Sequence, residues 1–231
     1  DDASKWLPVG AQSDGVSITR LASEPLSGCI TVKLVTRLPG VPLEVGADQA
    51  FNFSNRQKWD TQVVDFQGHD EFGCREHHAN NLFYFNIHLP PLTDRDFLSF
   101  YAMAAADDES GIVTLIRSAR HPAYSAGRRG RLRCEIHGCA VALTRDEHDP
   151  AGSSCLTMIT KQDIKMPIIP HWMVNYFLPG QLKQWSKSLH KACMQEVRKL
   201  QRDDDGRLQL PLPDLFPGIP TDEASTQADS A

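Results

Sequence analysis

The strongest constraint on this chain is a long series of strand-length segments joined by connections too short to hold a helix. Residues 61–66, 82–89, 97–104, 112–117, 131–136 and 156–161 each carry an apolar or alternating pattern, with Gly, Asp and Pro clusters between them. Parallel neighbours would need crossovers of about a dozen residues or more, so the series predicts an antiparallel sheet. Residues 16–21 and 29–38 extend it. In the second of these, Ile30, Val32 and Leu34 alternate with Thr31 and Lys33, the pattern of a strand with one buried face.

Helical spacing appears in two places. From Pro42 to about residue 54, Leu43, Ala47, Ala50 and Phe51 recur at helical intervals, with Pro42 suited to a first turn. Near the end, Leu182, Trp185, Leu189, Ala192, Cys193, Val197 and Leu200 form one apolar stripe, which predicts a long amphipathic helix. Pro179 and Gly180 are expected to kink it or divide it from the apolar turn at 172–178. Residues 203–231, rich in Asp, Gly and Pro, read as a flexible tail that adds nothing to the core, although Leu210, Leu212, Leu215 and Phe216 could dock locally.

Composition narrows the function classes. The 231 residues are enough for one domain with an internal cavity, and the formal charge of −5 argues against a broad grip on nucleic acid. The basic stretch Arg128, Arg129, Arg131 and Arg133 reads as a solvated turn and strand edge. No apolar run reaches the ~20 residues that span a bilayer, and residues 1–5 lack the pattern of a signal peptide, so a cytoplasmic protein, peripheral to membranes, is expected. Cys29, Cys74, Cys134, Cys139, Cys155 and Cys193 are irregularly spaced and read as mostly free thiols. Zinc is not expected, because CxxC pairs are absent and the adjacent His77 and His78 lack ligand spacing. Nucleophile elbow, P-loop, dinucleotide and HExxH patterns are all missing, which favours a binding protein over an enzyme.

Some charged and aromatic residues stand in apolar context. Arg56 and Asp60, four apart, share a helix face and can pair. The pair is either a structural ion pair or a guanidinium held by Asp60 with donors left for an anionic ligand. In residues 82–89, Tyr84, Asn86 and His88 share one strand face, and Phe83, Phe85 and Ile87 the other. Arg133 and His137 fall on one side by the period of two, facing either solvent or a ligand.

These pieces resemble, in order, the START (steroidogenic acute regulatory protein-related lipid transfer) domain. The likeness rests on Gly15 to Ile18, on Arg56 to Asp60, and on Asp94, Arg95, Asp96 and Phe97. It continues through Ser118 to Pro122, Arg133, and Asp163 to Asn175 before the final helix, covering about residues 6–202. The resemblance implies an α+β helix-grip fold, a curved antiparallel sheet wrapped around a long C-terminal helix with an internal lipid cavity. The chain is most similar to the phosphatidylcholine-transfer branch, which implies a monomer that binds one phospholipid, meets membranes transiently and needs no cofactor.

On that resemblance Arg56 and Asp60 would hold the phosphate, Tyr84, Phe97 and His137 would stand at an aromatic cage for the headgroup, and Arg133, Trp172 and Asn175 would contact the lipid. His137 stands where a Tyr is expected, which leaves ethanolamine or mixed phospholipids open. Leu89, Pro90, Pro91 and Leu92, with Ile168, Ile169, Met173 and Phe177, would form the gate, the prolines otherwise serving only to stiffen a hairpin. Sterol-binding relatives use a buried acid and arginine at positions held here by Leu82 and Tyr101, which favours phospholipid. Alternatives are a lipid sensor or membrane tether that does not transfer, a sterol- or ceramide-binding domain, and an enzyme of the wider helix-grip superfamily.

Overall fold

The structure, a computed structural model, describes residues 5–10, 12, 15–24, 27–69, 81–88, 93–106, 110–122, 124, 130–168, 170 and 172–200. The predicted tail from 203 onward, and Leu89, Pro90, Pro91, Leu92 and Ile169 of the predicted gate, lie outside these residues.

Short edge strand β1 (Trp6–Pro8), which the sequence pattern did not reveal, precedes β2 (Val16–Leu21) and β3 (Ser27–Leu38). Helices α1 (Leu43–Phe51) and α2 (Phe53–Trp59) follow, then β4 (Val63–His69), β5 (Asn81–Ile87), β6 (Arg95–Ala105), β7 (Gly111–Ser118), β8 (Leu132–Arg133), β9 (Glu135–Arg145) and β10 (Ser154–Ile168). A π-helical turn, Met173–Phe177, runs into the closing helix α3 (Leu178–Lys199).

The sheet order is β1-β2-β3-β10-β9-β7-β6-β5-β4, antiparallel throughout along this path. Only β8 departs, lying parallel beside β6 for two residues. β9 runs far past its predicted end at 136, through a Gly- and Ala-containing stretch whose low strand propensity hid it.

The expected first helix breaks at Asn52, which is extended (φ −77°, ψ 104°) and whose side chain accepts a hydrogen bond from the Ser54 backbone N–H at 3.1 Å. Asn favours such caps over helix interiors, so one predicted helix becomes two. α1 presses closely on the sheet: a Cβ at Gly46 would lie 2.9 Å from Leu143 Cδ2.

The stripe on α3 packs as its spacing requires. Trp185, Leu189, Ala192 and Cys193 are buried, and Ser186 bonds the buried Thr36 hydroxyl of β3 at 2.6 Å. Leu34, Leu38, Leu143 and Leu156 on the strands meet Leu189 in one core, each burial contributing ~1.5–3 kcal/mol. Pro179 is the second residue of α3, and the backbone stays αR through Phe177 and Leu178, so the helix and π turn are continuous rather than divided. Leu178 N–H bonds the Met173 carbonyl five residues back, the π register. The chain at Gly10 (φ +66°) passes this point closely enough that a Cβ there would lie 2.8 Å from the Pro179 ring.

Candidate functional site

Because α3 and the π turn cover only part of the concave face, a cavity of about 260 Å³ remains between them and the strands. Its walls are largely apolar: Ile30 and Val32 of β3, Phe85 and Ile87 of β5, Met158 of β10, and Met173, Phe177 and Leu182 from the covering helix. Polar groups sit at specific places. Arg56, Gln62 and Gln181 lie on the helical side; Tyr101, Thr114, Cys139, Thr160 and Gln162 come from the sheet.

The Arg56 group is built by α2. One turn separates it from Asp60, and Arg56 Nε donates to Asp60 Oδ2 at 2.9 Å. Asp60 is 3% exposed and also accepts from Trp185 Nε1 at 3.0 Å and from the Gln62 backbone N–H at 3.2 Å. Three donors from α2, α3 and the intervening turn thus fix one carboxylate. Its guanidinium partner lies 5.7 Å from the centroid of the Trp185 ring. Among the described residues the two η nitrogens of Arg56 take no hydrogen-bond partner, so they remain available at the cavity wall. The other cavity polar groups are mostly paired: Gln62 Nε2 donates to Gln181 Oε1 at 2.5 Å, and Gln162 Nε2 to Thr160 Oγ1 at 2.9 Å. Burial raises the pKa of the Cys139 thiol, leaving it a neutral wall group.

The structure does not gather all the expected ligand residues here. Tyr84 is buried on the opposite, outer face of β5 against Leu98 and Tyr124. Its hydroxyl accepts from Arg131 Nη1 at 3.0 Å, and burial raises its pKa. Arg133 lies on the same outer face, with Nε and Nη2 on the two oxygens of Asp96 (3.1 and 3.0 Å) and Nη1 on the Tyr124 carbonyl (3.2 Å). His137 is exposed on the outer face with Arg133, opposite the inward Ile136; it is also the bulged residue of β9, since Lys161 pairs with Gly138 but Gln162 with Ile136, leaving residue 137 without a counterpart. The bulge shifts the alternation, turning Ile136 and then Cys139 inward. Phe97 is buried behind Phe85, stacked on it at 4.8 Å, and is not on the cavity wall. The cage expected from Tyr84, Phe97 and His137 therefore does not form.

In the π turn, Met173, Val174 and Phe177 line the cavity, while Trp172 and Asn175 point outward. The side chain of Ile168 is outside the described portion, although its backbone ends β10. Gln62, Thr114, Gln181 and the polar role of Trp185 were not foreseen. Only Thr114 left a trace, a polar residue on the face that carries Ile112 and Ile116. A second hollow, of about 600 Å³, lies on the outer face among Arg117, Arg120, His121, Arg133 and His137.

The five described cysteines are free thiols, and burial pushes Cys134 and Cys193 up to about 12. Among the described residues there is no cluster of three metal-ligating side chains, and no helix is long and apolar enough to cross a membrane.

No protein-family model and no curated protein sequence matches the chain. Solved structures do. Human STARD10 superposes with a TM-score of 0.70 at 20% identity, over 85% of this chain and 76% of that one. Human StAR-related lipid transfer protein 5 gives 0.69 at 19%, over 84% and 89%. The lipid transfer and protein localization domain of human StarD13 gives 0.62 at 14%, over 81% and 88%. With its curved antiparallel sheet and long closing helix, the chain has the START-domain helix-grip fold.

Proposed function

We propose that the chain binds a single phospholipid in the cavity beneath α3 and carries it between membranes, without chemistry on the lipid. The observation that carries this reading is Arg56, a guanidinium held through one nitrogen by buried Asp60 and left with two unspent nitrogens at the wall of an apolar cavity. Such a group suits a phosphate oxygen, and the apolar walls suit acyl chains. Asp60 orients the arginine; Trp185 holds Asp60.

At about 260 Å³ the cavity falls just below the ~300–1,000 Å³ of ordinary ligand pockets. A two-chain lipid therefore requires the π turn and α3 to move away from the sheet. The π turn is suited to that, since its hydrogen bonding already departs from the α register. Trp172 is 46% and Tyr176 77% exposed on its outer side, and such aromatics favour the membrane interface. Headgroup selectivity through an aromatic cage is not part of this proposal.

Native mass spectrometry after incubation with phosphatidylcholine vesicles, combined with transfer between labelled vesicles, tests it. The expected result is one phospholipid per chain and accelerated exchange. Protein that stays empty would contradict binding, and stoichiometric binding without exchange would contradict carriage.

A further inference from the structure

Thr114 is the polar group of this cavity that the protein itself leaves unsatisfied. It is 3% exposed, it lines the cavity, and its Oγ1 is buried without a hydrogen-bond partner. Asn86, Arg95, Ser99 and Ser154 also carry buried atoms without partners, but none of them lines the cavity. Its cross-strand neighbours on the inner face are Met103 and Val141, neither of which offers oxygen or nitrogen from a side chain. An orphaned hydroxyl in such a wall is unfavourable unless something in the cavity bonds to it, and buried native groups of this kind usually have such a partner.

The position of Thr114 constrains that partner. Arg56 and Ile116 share the wall of a small annex to the main cavity. Thr114 is the next inward-facing residue of β7 beyond Ile116, ~7 Å along the strand. In a glycerophospholipid the carbonyl oxygen of the sn-2 acyl ester is separated from phosphorus by six covalent bonds, a reach of about 7 Å at ~1.2 Å per bond, so one lipid can extend from a phosphate at Arg56 to an ester further along the wall. Building on the reading of Arg56 as phosphate anchor, we propose that Thr114 is a specificity-determining residue whose hydroxyl donates to an ester carbonyl oxygen of the bound phospholipid. The cavity would then discriminate acyl esters from alkyl ethers, which lack that acceptor.

The test compares the full chain with Thr114→Val, which keeps the shape and removes the hydroxyl, and Thr114→Ser, which keeps the hydroxyl. Each is titrated with vesicles of dipalmitoyl phosphatidylcholine and of its dialkyl ether analogue. The unaltered chain should prefer the ester lipid by about fivefold, the magnitude of one neutral hydrogen bond. Thr114→Val should bind both lipids equally, and Thr114→Ser should retain the preference. Equal preference in the unaltered chain and Thr114→Val, or none in either, would overturn the assignment while leaving phospholipid binding intact, and would assign the hydroxyl to water. No binding of either lipid by any of the three would overturn the Arg56 reading as well.

Discussion

Two arginine–carboxylate pairs stand on opposite faces of the same sheet, and they differ in what is left over. On the outer face, Arg133 spends Nε and Nη2 on Asp96 and Nη1 on the Tyr124 carbonyl, and Asp96 is fully buried. At the cavity, Arg56 spends only Nε on Asp60, and that carboxylate is fixed by other donors from Trp185 and Gln62. The first pair closes on itself and holds β6 to β8. The second keeps a bound guanidinium with free donors facing an apolar space. A buried ion pair is thus a structural clamp or a ligand anchor depending on how many of its hydrogen bonds the protein consumes.

Removing the clamp should have the largest effect on folding. Arg133→Ala strands a carboxylate with no exposure, which costs ~3–5 kcal/mol, measurable as a lowered denaturant midpoint. Phospholipid bound per folded molecule should be unchanged. If lipid occupancy fell instead with stability intact, the outer face would be the binding site.

Arg56→Ala should show the reverse balance. Asp60 keeps two donors, so the stability loss should be smaller, ~1–3 kcal/mol, while lipid affinity falls by about 10- to 100-fold. Arg56→Lys, which keeps the charge and loses the planar fork, should fall between.

The smallest effect concerns Cys139, which lines the cavity and whose thiol is raised in pKa by burial. Alkylation should be slow in the closed protein and severalfold faster in the presence of vesicles, if α3 and the π turn move as phospholipid loading requires. An unchanged rate would mean that the cavity does not open at the membrane.

Much of this architecture was legible in the chain, and the reasons for the exceptions are physical. Local periodicity showed most of the strands and the buried stripe of α3, because burial on one face dictates both. The pairing of Arg56 with Asp60 followed from one helical turn. The Arg131 and Arg133 run looked like a solvated turn, since its partners Asp65 and Asp96 are distant in sequence and meet it only through the sheet and the parallel contact of β8. Arg133 and His137 share the outer face as the period of two predicts; it is Cys139 beyond them that a single-residue bulge turns inward, and no residue type announces that shift. Trp185 read as core, and its indole N–H on Asp60 depends on how α3 crosses α2.

The most direct measurement is the phospholipid phosphorus retained per folded molecule by the unaltered chain and by Arg56→Ala, each re-isolated from phosphatidylcholine vesicles. The account predicts close to one phosphorus in the first and a strong loss in the second, with secondary structure preserved. Equal retention by both, with only thermal stability lowered in Arg56→Ala, would make this pair a second structural clamp and contradict the account.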